Sequence, residues 1–414
     1  MTRAGRPLEE EGRTRSGSSK VTQVSFDVLW EETMKALRIA SAALAGLMMT
    51  TSFATPTLAG PEVVAGPGAD PACFAPWSAD TKYLQWEKQE GPYRIAVVNG
   101  FVGNTWRIQM IKTAKAYVED PAIKDKIAEF KVVSTGTDAP AQLGAIEDFI
   151  NQGYDAIVMI AVSPEGFDRV IRLADRENVV LIPFDNVLDT DAVVQVNEDQ
   201  LEMGRQWARF VLKELEASGK TSGKILEVRG LAGNSVDRDR SIGIHEEFDK
   251  TGGPWEIVQV VGNWDDGTAQ KVTADALAVH GTFDAVITQG GSTGTVQALI
   301  DAKHPFVPVG GEAENGFRKL VAKHSAEGLK GLSIGQSPGL VAISIKAAIA
   351  ALEGNPLPQL ISVPLPSVDY TQLKDGENFW TDLPDNFFTV NEFPPCGVNI
   401  SGPAIMAQTE ADVK

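Results

Sequence analysis

The sequence predicts an α/β protein made of two doubly wound parallel-sheet lobes. Two observations carry this. Short apolar runs alternate with helix-period segments, and the alternation starts afresh halfway along the chain. The runs are YRIAVVNG, DAIVMIAV, VVLIPFDN, GKILEVRG, FDAVITQG and PFVPVGGE, each long enough for one strand. Amphipathic segments follow them, such as Thr105 to Val118 and Glu165 to Glu177. Near-continuous apolar strands separated by helices imply a parallel sheet covered on both faces. The pattern runs from Tyr93 to about Val196 and restarts at Gly223.

The elements can be justified in order. The first 33 residues are charged and patternless, which points to a translation start at Met34. Lys35 and Arg38 precede an apolar stretch from Ile39 to Met49, and small residues follow, with cleavage expected after Ala54 or Ala59. That is the layout of a secretory signal peptide over residues 34–59. Its apolar core is too short for a helix to span a hydrocarbon layer of about 30 Å. Residues 60–92 form an extension, 93–197 with 337–363 the first lobe, and 198–336 with 364–414 the second lobe and tail. Between the lobes, Asn197 to Ser218 reads as one long helix. Asn197 is its expected cap, and Leu201, Trp207, Phe210, Val211 and Leu215 its buried stripe. A further apolar helix is expected over Pro338 to Leu352, with proline in its first turn. The Pro-rich tail reads as a strand and loops wrapped on the body.

Composition narrows the function. A net charge of -18 leaves no Lys/Arg stripe for nucleic acid and suits a soluble monomer kept apart by repulsion. The 2 cysteines, Cys73 and Cys396, stand near opposite ends of the exported chain. In an oxidising compartment a lone pair is expected to bridge. Neither a CxxC motif nor a Cys/His cluster is present, so no zinc or redox site and no cofactor is expected.

Three motifs are decoys. Gly331-Leu332-Ser333-Ile334-Gly335 matches a hydrolase elbow, but the last histidine, His324, precedes Ser333, whereas that fold needs it afterwards. Gln289 to Thr295 (QGGSTGT) lacks the ending of a phosphate loop, and reads as a helix start with Ser292 near its cap and backbone N–H groups free for a ligand. His245-Glu246-Glu247 has no second histidine at zincin spacing and reads as a solvated helix face.

Ligands of such sheets sit beyond the carboxyl ends of the strands. Those ends carry Asn104, Trp106, Ser163, Asp185, Arg238, Trp264, Glu312 and Gln336. The types suit a polyhydroxylated molecule. Carboxylates accept from hydroxyls, amides and guanidinium groups donate, and indole rings cover C–H faces.

From Tyr93 to about Pro364 the chain resembles the type I periplasmic sugar-binding proteins, the ribose/galactose/xylose-type receptors of ABC importers. GFVGNTWRIQ puts Asn104 and Trp106 at ligand positions of that family, with Arg107 where a second aromatic is common. AVSPEG carries over Ser163, with Ala161 in place of the usual Asn. IPFDN carries over Asp185 and Asn186. RGLAGNSVDRDRSIGI nominates Arg238, with Arg240 second. Trp264-Asp265 occupies the aromatic-Asp position, and Gln336 the glutamine before the hinge. After the strand ending at Gln289 the family's Asn-Asp is Gly290-Gly291 here, so Gln289 and Gly291 are carried as candidates, and Glu312 replaces the late Asp.

The resemblance implies a periplasmic protein that performs no chemistry. It would close on a small neutral sugar or polyol about crossings near Asn197, Gln336 and Val363, then present the closed form to the membrane subunits of an ABC importer. The alternative is a secreted α/β enzyme acting on a small carbohydrate.

Overall fold

The computed structural model describes residues 60–409. The expected leader, the stretch before it and the cleavage positions Ala54 and Ala59 lie outside the described residues.

The first lobe is built from β1 (Tyr93–Asn99), α1 (Thr105–Val118), β2 (Ile127–Ser134), α2 (Ala139–Asn151), β3 (Ala156–Ile160), α3 (Asp168–Arg176) and β4 (Val180–Pro183). Then β5 (Gln195–Glu198) leads into α4 (Gln200–Ala217). The second lobe follows as β6 (Gly223–Arg229), α5 (Ser235–Lys250), β7 (Trp255–Val261), α6 (Asp266–His280), β8 (Ala285–Thr288), α7 (Ser292–Asp301), β9 (Val309–Glu312), α8 (Asn315–His324) and β10 (Gly331–Ile334). From there α9 (Leu340–Leu352) returns to the first lobe, and β11 (Leu360–Val363) and β12 (Ser367–Asp369) carry the chain back across.

The first sheet has the order β2-β1-β3-β4, all parallel. The second has the order β7-β6-β8-β9-β10-β12, parallel except for the edge strand β12. Successive side chains of a strand point to opposite faces, and here both faces are buried. In β1, Ile95 and Val97 pack into one apolar cluster with α1 and α9, while Ala96 and Val98 pack into another with Ile146 and Phe149 of α2. In the second lobe, Val286 of β8 goes one way and Ala285 and Ile287 the other. Helix α9 is apolar nearly all round and accordingly buried. Its Lys346 reaches out to Asp70 at 2.6 Å and to the Cys396 carbonyl at 2.7 Å.

Several boundaries differ from the sequence reading for local reasons. Asn197 lies within β5, where its register partner is Ser362 of β11. The cap of α4 is Asp199, whose side chain accepts from the Glu202 N–H at 2.9 Å. Trp207, Val211 and Leu215 form the buried stripe with Met203 and Ala208, whereas Leu201 and Phe210 are half-buried. Helix α9 starts at Leu340, beyond Pro338. Helix α3 starts at Asp168, after the positive-φ Gly166 ends the turn. Strands β2 and β7 were absent from the apolar runs because they are edge strands with half-exposed faces.

Helices α4 and α5 meet backbone to backbone. A Cβ at Gly204 would fall 2.1 Å from the Arg240 carbonyl oxygen, and one at Gly243 2.1 Å from the Leu201 carbonyl oxygen. Only glycine allows this approach, and it seats Arg240 against β9.

The extension before β1 and the tail after β12 both wrap the body. Ala75–Pro76 pairs with β11, and Leu357–Pro358 pairs with Tyr83–Gln85. The expected disulfide is present, joining Cys73 to Cys396 across 323 residues of chain. Closing so long a loop removes unfolded-state entropy equivalent to about 4 kcal/mol or more. Cys396→Ser should therefore lower the unfolding free energy by about 2–5 kcal/mol in denaturant melts, and reductant should do the same to the wild type only.

Candidate functional site

The strand ends of both lobes converge on one cavity. From the first lobe come Asn104, Trp106, Arg107 and Asp185. From the second come Val236, Arg240, Trp264 and Glu312, with Gln336 from the crossing after β10 and Phe388 from the tail. The cavity offers about 30 Å³ to the centre of a water molecule. A second void of about 40 Å³ adjoins it, sharing Asn104, Arg107 and Trp264 and adding Asn186 and Asn234. A larger occupant requires the lobes to part or side chains to yield.

Each polar wall is held from behind. Asn104 caps α1, its Oδ1 accepting from the Arg107 N–H at 3.0 Å. The Arg107 guanidinium donates to Asn99 Oδ1 at 2.8 Å and lies 5.7 Å from the Trp106 ring centroid. Trp106 Nε1 donates to the Gln336 carbonyl at 3.1 Å, and Gln336 Nε2 donates to Asp185 Oδ1, so this wall is cross-linked between the first lobe and the crossing. Asp185 itself has φ 61°, a left-handed backbone that turns it out of the strand direction after β4.

Arg240 is the pivot of the second lobe's wall. It is only 1 % exposed. Its Nη1 donates to Glu312 Oε1 at 2.7 Å and to the Gln289 carbonyl at 2.5 Å, and its Nε donates to Gln200 Oε1 at 2.8 Å. The Trp207 ring lies 5.5 Å from the guanidinium carbon. Nη2 is buried and lacks a partner. A buried donor left unsatisfied costs about 1–3 kcal/mol, which an oxygen acceptor would recover.

Burial and pairing set the charges. Burial pulls the Arg107 guanidinium down to about 10, with Asp185 opposing, so it stays charged at neutral pH. Burial pushes both Asp185 and Glu312 up. The Arg107 and Arg240 charges and the Gln336 hydrogen bond oppose the rise at Asp185; the Arg240 charge and hydrogen bond oppose it at Glu312. Among the lining residues, Arg107 and Arg240 face Asp185 and Glu312, so their formal charges cancel.

Trp264 sits in a slot floored by glycine. Its φ of 56° is a left-handed conformation that costs an aromatic residue about 1–3 kcal/mol. A Cβ on Gly230 would fall 2.1 Å from its Cε2, and one on Gly290 2.8 Å from its Cδ1. Of the two glycines that depart from the family pattern, Gly290 therefore makes room for this ring, while a Cβ on Gly291 would fall 2.6 Å from the Ala269 Cβ and 2.8 Å from the Asp265 carbonyl oxygen.

Other predicted positions lie elsewhere. Arg238 is not at the cavity: it is exposed and pairs with Asp239 at 2.7 Å. Helix α5 buries Val236, Arg240 and Ile244, so position 240 shares the inward face and position 238 points away. Ser163 is half-buried, its Oγ accepting from the Glu165 N–H at 3.3 Å. Asn186 borders only the second void and donates to the Ala161 carbonyl at 3.0 Å. Gln289 is fully buried, its Nε2 directed to Glu227 and the Asp237 carbonyl, each at 3.2 Å. Gly291 caps α7 with φ 69°. The N-terminus of that helix is not open to a ligand. Glu314 accepts from the Ser292 and Thr293 N–H groups at 2.9 and 2.8 Å, and Asp266 from Gly294 at 3.0 Å. His245 is half-buried in a pair with Glu227 at 3.0 Å, while Glu246 and Glu247 pair with Arg205 and Arg209.

Glu198 was not singled out from the sequence. It closes β5 at the first crossing, is fully buried, and neither carboxyl oxygen has a well-formed hydrogen bond. Burial, reinforced by Asp185 and Glu312, pushes its pKa well above 4.5, against smaller pulls from Arg240 and the Ser337 N–H. The folded state thus keeps a proton that the unfolded chain releases. Its stabilising contribution is full below the unfolded value and is lost as pH rises through the folded one. Glu198→Gln removes this titration. The stability of the variant relative to wild type should therefore increase as pH rises above the unfolded carboxyl's range in urea melts, and a constant difference would contradict the assignment.

Comparison with known proteins places the chain. Residues 95–356, more than half of the 414, match the family described as periplasmic binding protein domain. The D-ribose/D-allose-binding protein of Pseudomonas aeruginosa is 27% identical over 237 residues, covering 55% of this chain and 70% of that protein. The xylitol-binding protein of Mycolicibacterium smegmatis is 26% identical, covering 43% of this chain and 51% of its own. An ABC transporter solute binding protein from Thermobispora bispora superposes with a TM-score of 0.59 at 25% identity, covering 66% of this chain and 84% of its own. One from Mycobacterium smegmatis with bound glycerol gives a TM-score of 0.59 at 20% identity, covering 70% and 100%. With two parallel-sheet lobes, a cavity at their strand ends and a family match across both, this chain belongs to the periplasmic binding proteins.

Proposed function

We propose that this protein is the solute-binding component of an ABC importer, and that it captures a small neutral sugar or polyol between its lobes. The observation that carries this reading is the cavity wall itself: two guanidinium groups and two carboxylates whose charges cancel, flanked by Trp106 and Trp264. Such a wall offers charge-assisted donors and acceptors to hydroxyl groups but gives a net anion or cation no advantage. The indoles supply apolar faces for C–H groups.

The relatives support the ligand class. They include proteins named for ribose, allose and xylitol, and solved structures holding D-allose, glycerol and myo-inositol. The protein acts without turning its ligand over. In support, none of the 4 histidines is among the cavity-lining residues. It works in the periplasm as a monomer, after removal of a leader ending at Ala54 or Ala59. Ligand contacts to both lobes favour the closed form, and the membrane subunits of the importer recognise that closed surface. The ligand contacts are assigned to Asn104, Trp106, Arg107, Asp185, Arg240, Trp264, Glu312 and Gln336, with Arg240 replacing Arg238 and with Asn186 at the margin.

A thermal-shift screen of neutral sugars, polyols, sugar acids and amino acids tests the class. Saturating ligand at about a thousand times its dissociation constant adds about 4 kcal/mol, a shift of several degrees. One neutral sugar or polyol should stand out; a response confined to sugar acids or amino acids would contradict the charge-balance argument. With that ligand, Arg240→Gln should weaken binding by roughly 30-fold or more, and Arg238→Gln by no more than about twofold, in titration calorimetry.

A further inference from the structure

The family match ends at residue 356, yet a residue well beyond it lines the cavity. Phe388 belongs to a tail segment that lies against both lobes. On the first lobe, Gln109 of α1 grips both of its backbone groups. The Phe388 N–H donates to Gln109 Oε1 at 2.8 Å, and its carbonyl accepts from Gln109 Nε2 at 2.9 Å. On the second lobe, the Thr389 N–H and hydroxyl both donate to the Ala313 carbonyl at 2.9 Å, and the Asn315 N–H donates to the Phe387 carbonyl at 2.8 Å. Glu314 and Phe388 form an isolated antiparallel bridge between these contacts. Asn391 Nδ2 closes the turn onto the Phe388 carbonyl at 2.8 Å. Further on, Cys396 is bonded to Cys73.

Resting on the sugar or polyol reading, we propose that this C-terminal strap is a specificity element of the site, with the Phe388 ring as an apolar wall that limits ligand size. The ring is 5 % exposed, and its backbone is held on two sides, so it cannot swing away cheaply. Most other lining side chains carry hydrogen-bonding groups; Phe388 and Val236 carry none. A hydroxyl set against the ring would be buried without a partner, at a cost of about 1–3 kcal/mol. The ligand must therefore turn C–H groups toward the strap. A longer molecule meets the ring as the cleft closes on it, because Phe388 lines the same cavity as the polar groups. The lobes of the family domain supply the polar recognition, and the added tail trims it.

The test uses protein purified after expression of the full chain, as wild type, Phe388→Ala and Phe388→Leu. Dissociation constants are measured by calorimetry for neutral sugars and polyols of three to seven carbons. Phe388→Ala should weaken the wild type's best ligand by roughly tenfold and shift the preferred length upward, so that at least one longer compound gains affinity; Phe388→Leu should fall between. Unchanged affinities, or one uniform loss for all compounds, would overturn the proposal. If the wild type binds none of the panel, the ligand-class reading fails, and the strap is then judged by hydrogen exchange without ligand. Faster exchange in Phe388→Ala at both 104–110 and 312–316 upholds the ring as a wall shared by the lobes. Change at neither segment, or at one alone, overturns it.

Discussion

The cleft depends on one constraint: a guanidinium sealed from water must be answered by acceptors. Arg240 meets it with Glu312, the Gln289 carbonyl and Gln200, drawn from β9, the end of β8 and α4. Ionic groups at such depth are tolerated only when paired and hydrogen-bonded. The close approach of α4 and α5 through Gly204 and Gly243 serves this, because it seats Arg240 within reach of Gln200 and Glu312. The remaining Nη2 gives the second lobe one unspent donor.

The opposite wall solves the same problem differently. Arg107 is held by Asn99, and Asp185 by Gln336, which also accepts from Trp106. Gln336 lies in a crossing segment, so this wall is tied to the hinge. Glu198 sits at another crossing, with Asp185, Arg240 and Glu312 all close enough to shift its protonation. Hinge and cleft therefore share one electrostatic field. Burial and the neighbouring Asp185 and Glu312 both disfavour a charge on Glu198, against the opposing pull of Arg240.

The central strands were legible because each is apolar on both faces, and α1 because Thr105 to Val118 keeps a helical period; its cap, Asn104, was read only as a ligand position. The disulfide followed from a lone cysteine pair in an exported chain. Strands β2 and β7 were missed because an edge strand buries less and breaks the continuous apolar run. The start of α4 moved to Asp199 because β5 pairs with β11, a long-range partner that no local propensity announces. Helical phase was the one local signal passed over: Val236, Arg240 and Ile244 lie four residues apart and place Arg240, not Arg238, inward. The N–H groups of Ser292 and Thr293 were read as free because Glu314 approaches only in the folded chain. Phe388 had no local signature, since its place in the cavity is decided by Gln109 on one lobe and Ala313 on the other.

On the proposed reading, one neutral ligand is held by charge-balanced groups from both lobes. A crystal structure of the protein with its tightest-binding sugar or polyol tests this most directly. Ligand hydroxyls should lie within about 3.2 Å of Asp185 and Arg107 from one lobe and of Arg240 and Glu312 from the other. A ligand resting on one lobe only, or one contacted by Arg238 while Arg240 keeps its present partners, would contradict it.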